Sequence, residues 1–157
     1  GGAVALHVAT RVPDRVKALV LIAPAGLGGP VSRDFLDGFP DLQTRDDAHA
    51  LLSGLVANKR LVQPAMADHV LSTLGSDERR AALRTVASGL KDIESPPFPP
   101  SRPAIVVWGE EDSVSAMPSA DELGGELVAI AGAGHLPHVE KAGTVNRLIL
   151  EALASGS

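Results

Sequence analysis

The chain has no cysteine. That excludes a disulfide framework, a thiolate nucleophile and a cysteine-based zinc site. Aromatic residues make up only 3% of it, and no run of Lys or Arg is longer than two. With a net charge of −5 there is no basic footprint for nucleic acid. No apolar stretch approaches the ~20 residues of a membrane span, and no export signal is visible. The expectation is therefore a cytoplasmic protein with neither nucleic acid nor membrane among its partners. Ala, Leu, Val and Gly dominate the 157 residues, of which 45% are hydrophobic. A chain of this size fits one domain that buries roughly 70% of its unfolded surface. Small apolar residues in this proportion suit helices packed closely on a parallel sheet.

Three segments are expected. The first, residues 1–24, reads as a helix followed by a strand. Val4, Ala5, Val8, Ala9 and Val12 recur at helical spacing, and Pro13-Asp14 ends that helix. Ala18 to Ala23 is a continuous apolar run, which suits a strand buried on both faces. The second segment, residues 25–103, is an all-helical insert of the kind that forms a lid, and the run Gly26-Leu27-Gly28-Gly29 reads as its flexible hinge. Thr44-Arg45-Asp46-Asp47 is a capping signal, followed by a stripe of Ala48, Leu51, Leu52, Leu55 and Val56. Pro64 suits a first helical turn. Ser76 caps a further helix with a stripe of Ala82, Leu83, Val86, Ala87 and Leu90. Ser95 to Pro100 forms a stiff, extended linker. The third segment, residues 104–157, returns to α/β. Ala104–Trp108 and Leu127–Ala131 read as strands, and Val145, Leu148, Ile149, Ala152 and Leu153 mark a closing helix.

The residues suited to chemistry lie just past strand ends, where α/β proteins keep their sites. Asp112 follows the Ala104–Trp108 strand, and His135 follows the next one within Gly132-Ala133-Gly134-His135. Gly1-Gly2-Ala3-Val4-Ala5-Leu6 reads as the closing half of a G-x-S-x-G-G strand–turn–helix. That places a nucleophilic serine two residues before Gly1, outside this chain. A serine hydroxyl needs a base to take its proton, neutral imidazole is such a base, and a carboxylate fixes the imidazole tautomer. Singly, an Asp in an acidic loop is a surface charge and a strand-end His is structural. The pair, in this order on successive strands, favours catalysis. Glu110 and Glu111 remain alternatives to Asp112. His7 reads as a packed or half-exposed helix residue, and His49 and His69 as solvated. His135-x-x-His138 with Glu140 lacks the HExxH pattern, so no metal site is expected, and the glycine run at 26–29 lacks the lysine of a phosphate loop.

Gly1 to Leu6, Pro13-Asp14-Arg15-Val16, Trp108 to Asp112 and Gly132 to His135 together resemble the α/β-hydrolase superfamily over essentially the whole chain. The resemblance implies the C-terminal part of an α/β-hydrolase fold, with parallel strands flanked by helices and a helical lid. It implies Asp112 as triad acid and His135 as triad base, with Gly1 and Gly2 as elbow glycines. Ala23 to Gly28, Asp34 to Phe39 and Val145 to Leu148 are similar to the hydrolase-like domain of the acetoin dehydrogenase acetyltransferase component. That likeness implies acetyl transfer from dihydrolipoamide to coenzyme A within a multienzyme complex, although no lipoyl domain is visible here. Similar pieces occur in carbon–carbon bond hydrolases of aromatic degradation. The function implied is serine-dependent hydrolysis of an ester or thioester of a small acyl substrate, with no cofactor required. Acetyl transfer, carbon–carbon bond hydrolysis and a non-catalytic scaffold are the alternatives. The chain expressed alone is expected to be poorly soluble and inactive on simple esters.

Overall fold

The computed structural model describes residues 1–93, 104–123 and 125–155. Its centre is a sheet of three parallel strands in the order β1-β2-β3, with β1 at Leu19–Ile22, β2 at Ala104–Gly109 and β3 at Glu126–Ile130. Leu19 stands beside Ala104 and Ile22 beside Val107, while Ile105 stands beside Glu126 and Gly109 beside Ile130. Alternation along the strands splits the core in two. Leu19, Leu21, Val106 and Trp108 face α1 (Gly2–Arg11), meeting its Leu6 and Ala9. Val107 and Ile130, with the partly buried Val20, Ile22, Ile105 and Val128, face α8 (Ala142–Ser155) and its Val145. A helix on each face of a parallel sheet is the α/β arrangement expected for this chain.

Between β1 and β2 lie α2 (Arg33–Asp41), α3 (Arg45–Ser53), α4 (Pro64–Thr73) and α5 (Asp77–Leu90). Their caps are those expected. Thr44 Oγ1 accepts from the Asp47 amide at 3.1 Å, and Ser76 Oγ accepts from that of Arg79 at 3.3 Å. These helices build a core of their own from Leu36, Leu42, Ala48, Leu52, Leu55, Val62 and Leu74, to which Val114 also belongs. The remaining helices are short: α6 (Ala120–Leu123) precedes β3, and α7 (Pro137–Glu140) follows it.

Several expectations need correction. The valines of α1 are not its buried stripe: Val4, Val8 and Val12 are 65%, 46% and 43% exposed. The helix turns Ala3, Leu6 and Ala9 inward, because small residues let it lie close to the sheet. The helix of α3 stops at Ser53, so Leu55 and Val56 are buried from the connection beyond it. On α5 the inward residues are Leu83, Ala87 and Leu90, with Ala82 and Val86 outside. Leu153 of α8 is likewise exposed. In the glycine run after β1, Gly28 is exposed yet lies so close to the Ala116 carbonyl that a side chain there would run into it. The Ser95–Pro100 linker lies outside the described residues.

Candidate active site

Asp112 and His135 meet. The loop after β2 turns tightly, with the Asp112 amide bonded to the Gly109 carbonyl at 3.2 Å. The loop after β3 turns through Gly132, whose φ of +66° suits a residue without a Cβ. Across these two loops His135 Nδ1 lies 2.9 Å from Asp112 Oδ2. A carboxylate only accepts, so Nδ1 carries the proton and Nε2 is left free to act as a base. Asp112 is held from every side. Its Oδ1 accepts from the amides of Val114 and Ser115 at 2.8 and 3.1 Å, and its Oδ2 also accepts from Ser115 Oγ at 3.2 Å.

The Asp112 side chain is 1% exposed and that of His135 24%. Burial alone pushes the Asp112 carboxyl up. The hydrogen bond and charge of His135, then the amides of Val114 and Ser115, outweigh that and hold it below the ordinary carboxylate value. The arrangement keeps an ionised carboxylate beneath an imidazole whose outer edge reaches solvent.

His135 borders a cavity of about 370 Å³, and so do Gly1 and Gly2 at the start of α1. A side chain at Gly2 would collide with Pro24, so the start of α1 sits directly on the end of β1. Much of the remaining wall is apolar, with Ile22 and Val31 from the sheet side and Phe35, Leu36 and Leu90 from α2 and α5. The volume falls within the usual range for small-molecule sites.

The structure thus brings together Asp112, His135, Gly1 and Gly2. It separates the rest. Glu110 and Glu111 are exposed, and their amides serve the loop by bonding to the carbonyls of Ile130 and Ala133. His7, His49, His69 and His138 are exposed, which for His7 means that it is not packed. Among the described residues no group of three metal-ligating side chains converges. Sequence reasoning missed Ser115, whose hydroxyl is committed to Asp112, and Glu140, which bridges two loops. The only signal for Ser115 was its place three residues after the acid; for Glu140 there was none beyond proximity to His135.

Residues 1–148 match the family model described as the alpha/beta hydrolase family. Among curated proteins, the dihydrolipoyllysine-residue acetyltransferase component of the acetoin cleaving system is 32% identical over 161 residues in Pseudomonas putida. Its counterpart in Cupriavidus necator is 30% identical over 162 residues. Each match covers 98% of this chain, which spans 43% of the length of these relatives. Among solved structures, a meta-cleavage product hydrolase from Pseudomonas fluorescens superposes with a TM-score of 0.83 at 20% identity, covering 100% of this chain and 62% of the other. At that identity the likeness concerns the fold. No helix among the described residues is long and apolar enough to cross a membrane.

Proposed function

The chain belongs to the alpha/beta hydrolase family, and from that premise we propose that it carries the acid and base of a serine-dependent acyl-transfer site. The observation that supports this most is the 2.9 Å contact between the buried Asp112 carboxylate and His135 Nδ1 at the edge of an apolar cavity. In this reading a serine two positions before Gly1 attacks the acyl carbonyl. His135 Nε2 takes the hydroxyl proton and returns it to the leaving group, while Asp112 holds the tautomer and stabilises the imidazolium. Asp112 is the acid because it alone of the three loop carboxylates reaches His135. The segment at 25–103 acts as a lid. Its Phe35, Leu36 and Leu90 present apolar surface to the acyl group and keep water from it.

A second reading is acetyl transfer from a dihydrolipoyl thioester to coenzyme A inside a multienzyme complex. The identity to the two acetoin-system components favours it. Both readings use the same proton chemistry and differ in the acyl donor and in the acceptor, water or a thiol. The test uses the protein from the complete reading frame, supplied with an acetyl ester in water and with acetyl-dihydrolipoamide plus coenzyme A. Hydrolysis as the faster reaction supports the first reading, and thiol-dependent transfer supports the second. In either assay His135→Ala is expected to lower kcat by about 10³-fold or more, and Asp112→Asn by a similar order. Acyl turnover that survives His135→Ala unchanged overturns both.

A further inference from the structure

Glu140 ends the short helix α7, five residues after His135, and its carboxylate turns back to two amides from distant parts of the chain. Oε2 accepts from the Gly134 amide at 2.6 Å, and Oε1 accepts from the Asn58 amide at 2.9 Å. Gly134 immediately precedes His135. Asn58 lies in the connection that leaves α3. The two segments are in direct contact: a Cβ on Gly134 would stand 2.9 Å from the Leu55 carbonyl oxygen and 3.0 Å from the Ala57 nitrogen.

The Asp112 loop is tied to the same connection. Ser113 Oγ donates to the Gly54 carbonyl at 2.8 Å. The two catalytic loops are also tied to each other, through the Glu111 amide on the Ala133 carbonyl at 2.9 Å. Three loops therefore brace one another, and Glu140, from outside all three, bonds to two of them at once.

We propose that Glu140 is a positioning residue, clamping the His135 loop to the 54–58 connection so that the imidazole stays on Asp112; this rests on the acid–base reading of that pair. A carboxylate suits the task because it offers acceptors only, and both facing groups are donors. A glutamine in its place satisfies one amide and turns its own N–H₂ toward the other. Charge-assisted hydrogen bonds of this kind are stronger than neutral ones, and leaving a donor without its acceptor is costly. The clamp also links the helical segment to the base, so that displacement of the 54–58 connection is felt at His135.

The test follows the low-field Nδ1 proton of His135 by NMR in protein from the complete reading frame. Glu140→Ala and Glu140→Gln are compared with Thr44→Ala, which loses a helix cap in the same segment without touching either loop. The expected result is that both Glu140 variants speed exchange of that proton with water by roughly tenfold or more, and that Thr44→Ala does not. In the acyl-transfer assay their kcat falls while KM holds. Folded Glu140 variants with wild-type exchange overturn the proposal. So does equal acceleration in Thr44→Ala, which would mark Glu140 as merely structural, or the lack of a low-field proton in the wild type. If Glu140→Ala does not fold, Glu140→Gln decides alone. A wild type that shows the proton but no acyl turnover sinks the acyl-transfer reading and leaves the clamp to be judged by the exchange rates.

Discussion

Asp112 shows how one side chain of the candidate site bears on stability. Its folded pKa lies below the ordinary carboxylate value. A group depressed in this way stabilises the fold above its unfolded pKa of about 4, and the contribution is lost as pH falls through the folded value. Stability is therefore expected to drop on acidification below about pH 5, and Asp112→Asn is expected to flatten that drop. Thermal melts of the two proteins from pH 6 downward measure it, and parallel slopes would refute the linkage. Ala23 carries a different cost. It follows β1 with φ of +40°, a left-handed conformation that a Cβ disfavours. Relief of that strain in Ala23→Gly is expected to exceed the entropy cost of the added glycine and the loss of one buried methyl group. A net gain of about 0.5–1 kcal/mol is expected, or a rise in Tm of about 2 °C, read by calorimetry.

Elements were legible in the sequence wherever a local signal decides them. The start of α3 is an example: Thr44 Oγ1 also donates to Asp47 Oδ2 at 2.6 Å, so the reciprocal cap is spelled out within four residues. Thr44→Ala is accordingly expected to cost about 1 kcal/mol, seen as a lower denaturant midpoint with an unchanged slope. The three strands were equally plain, because each is an apolar run ended by glycine or proline chemistry. That Asp112 and His135 meet was legible for the same reason, since a strand end marks both. What failed was everything decided by distant neighbours. Val4, Val8 and Val12 form as good a periodic stripe as Ala3, Leu6 and Ala9, and only the sheet's position chooses between them. Helix α2 contains Gly38 and Pro40, which disguise it, although Ser32 caps it by accepting from the Phe35 amide at 3.3 Å. Glu140 reaches an amide 82 positions away, a distance over which no spacing rule operates.

At the scale of the whole molecule, the described sheet has β1 and β3 as its outer strands, and α1, which packs over β1, turns Val4 and Val8 outward. Outer strands next to apolar surface invite pairing with other chains. The chain expressed alone is expected to self-associate with rising concentration, and Val4→Lys with Val8→Lys to suppress this, as light scattering would show. A monodisperse wild-type monomer at high concentration would contradict it. The two cores of the sheet are separate from that of the helical segment, and the helical core reaches into the α/β part at Val114, two residues beyond Asp112. Such a plan separates the Asp112–His135 pair from the cavity wall. Asp112 and His135 stand on the loops just past β2 and β3, anchored by the sheet. The apolar cavity walls from Phe35, Leu36 and Leu90 stand on α2 and α5, on the other core, so substitutions there are expected to reshape the cavity without moving the Asp112–His135 pair. The seat of Val114 and the contacts at 54–58 are the boundary conditions that any such substitution has to leave intact.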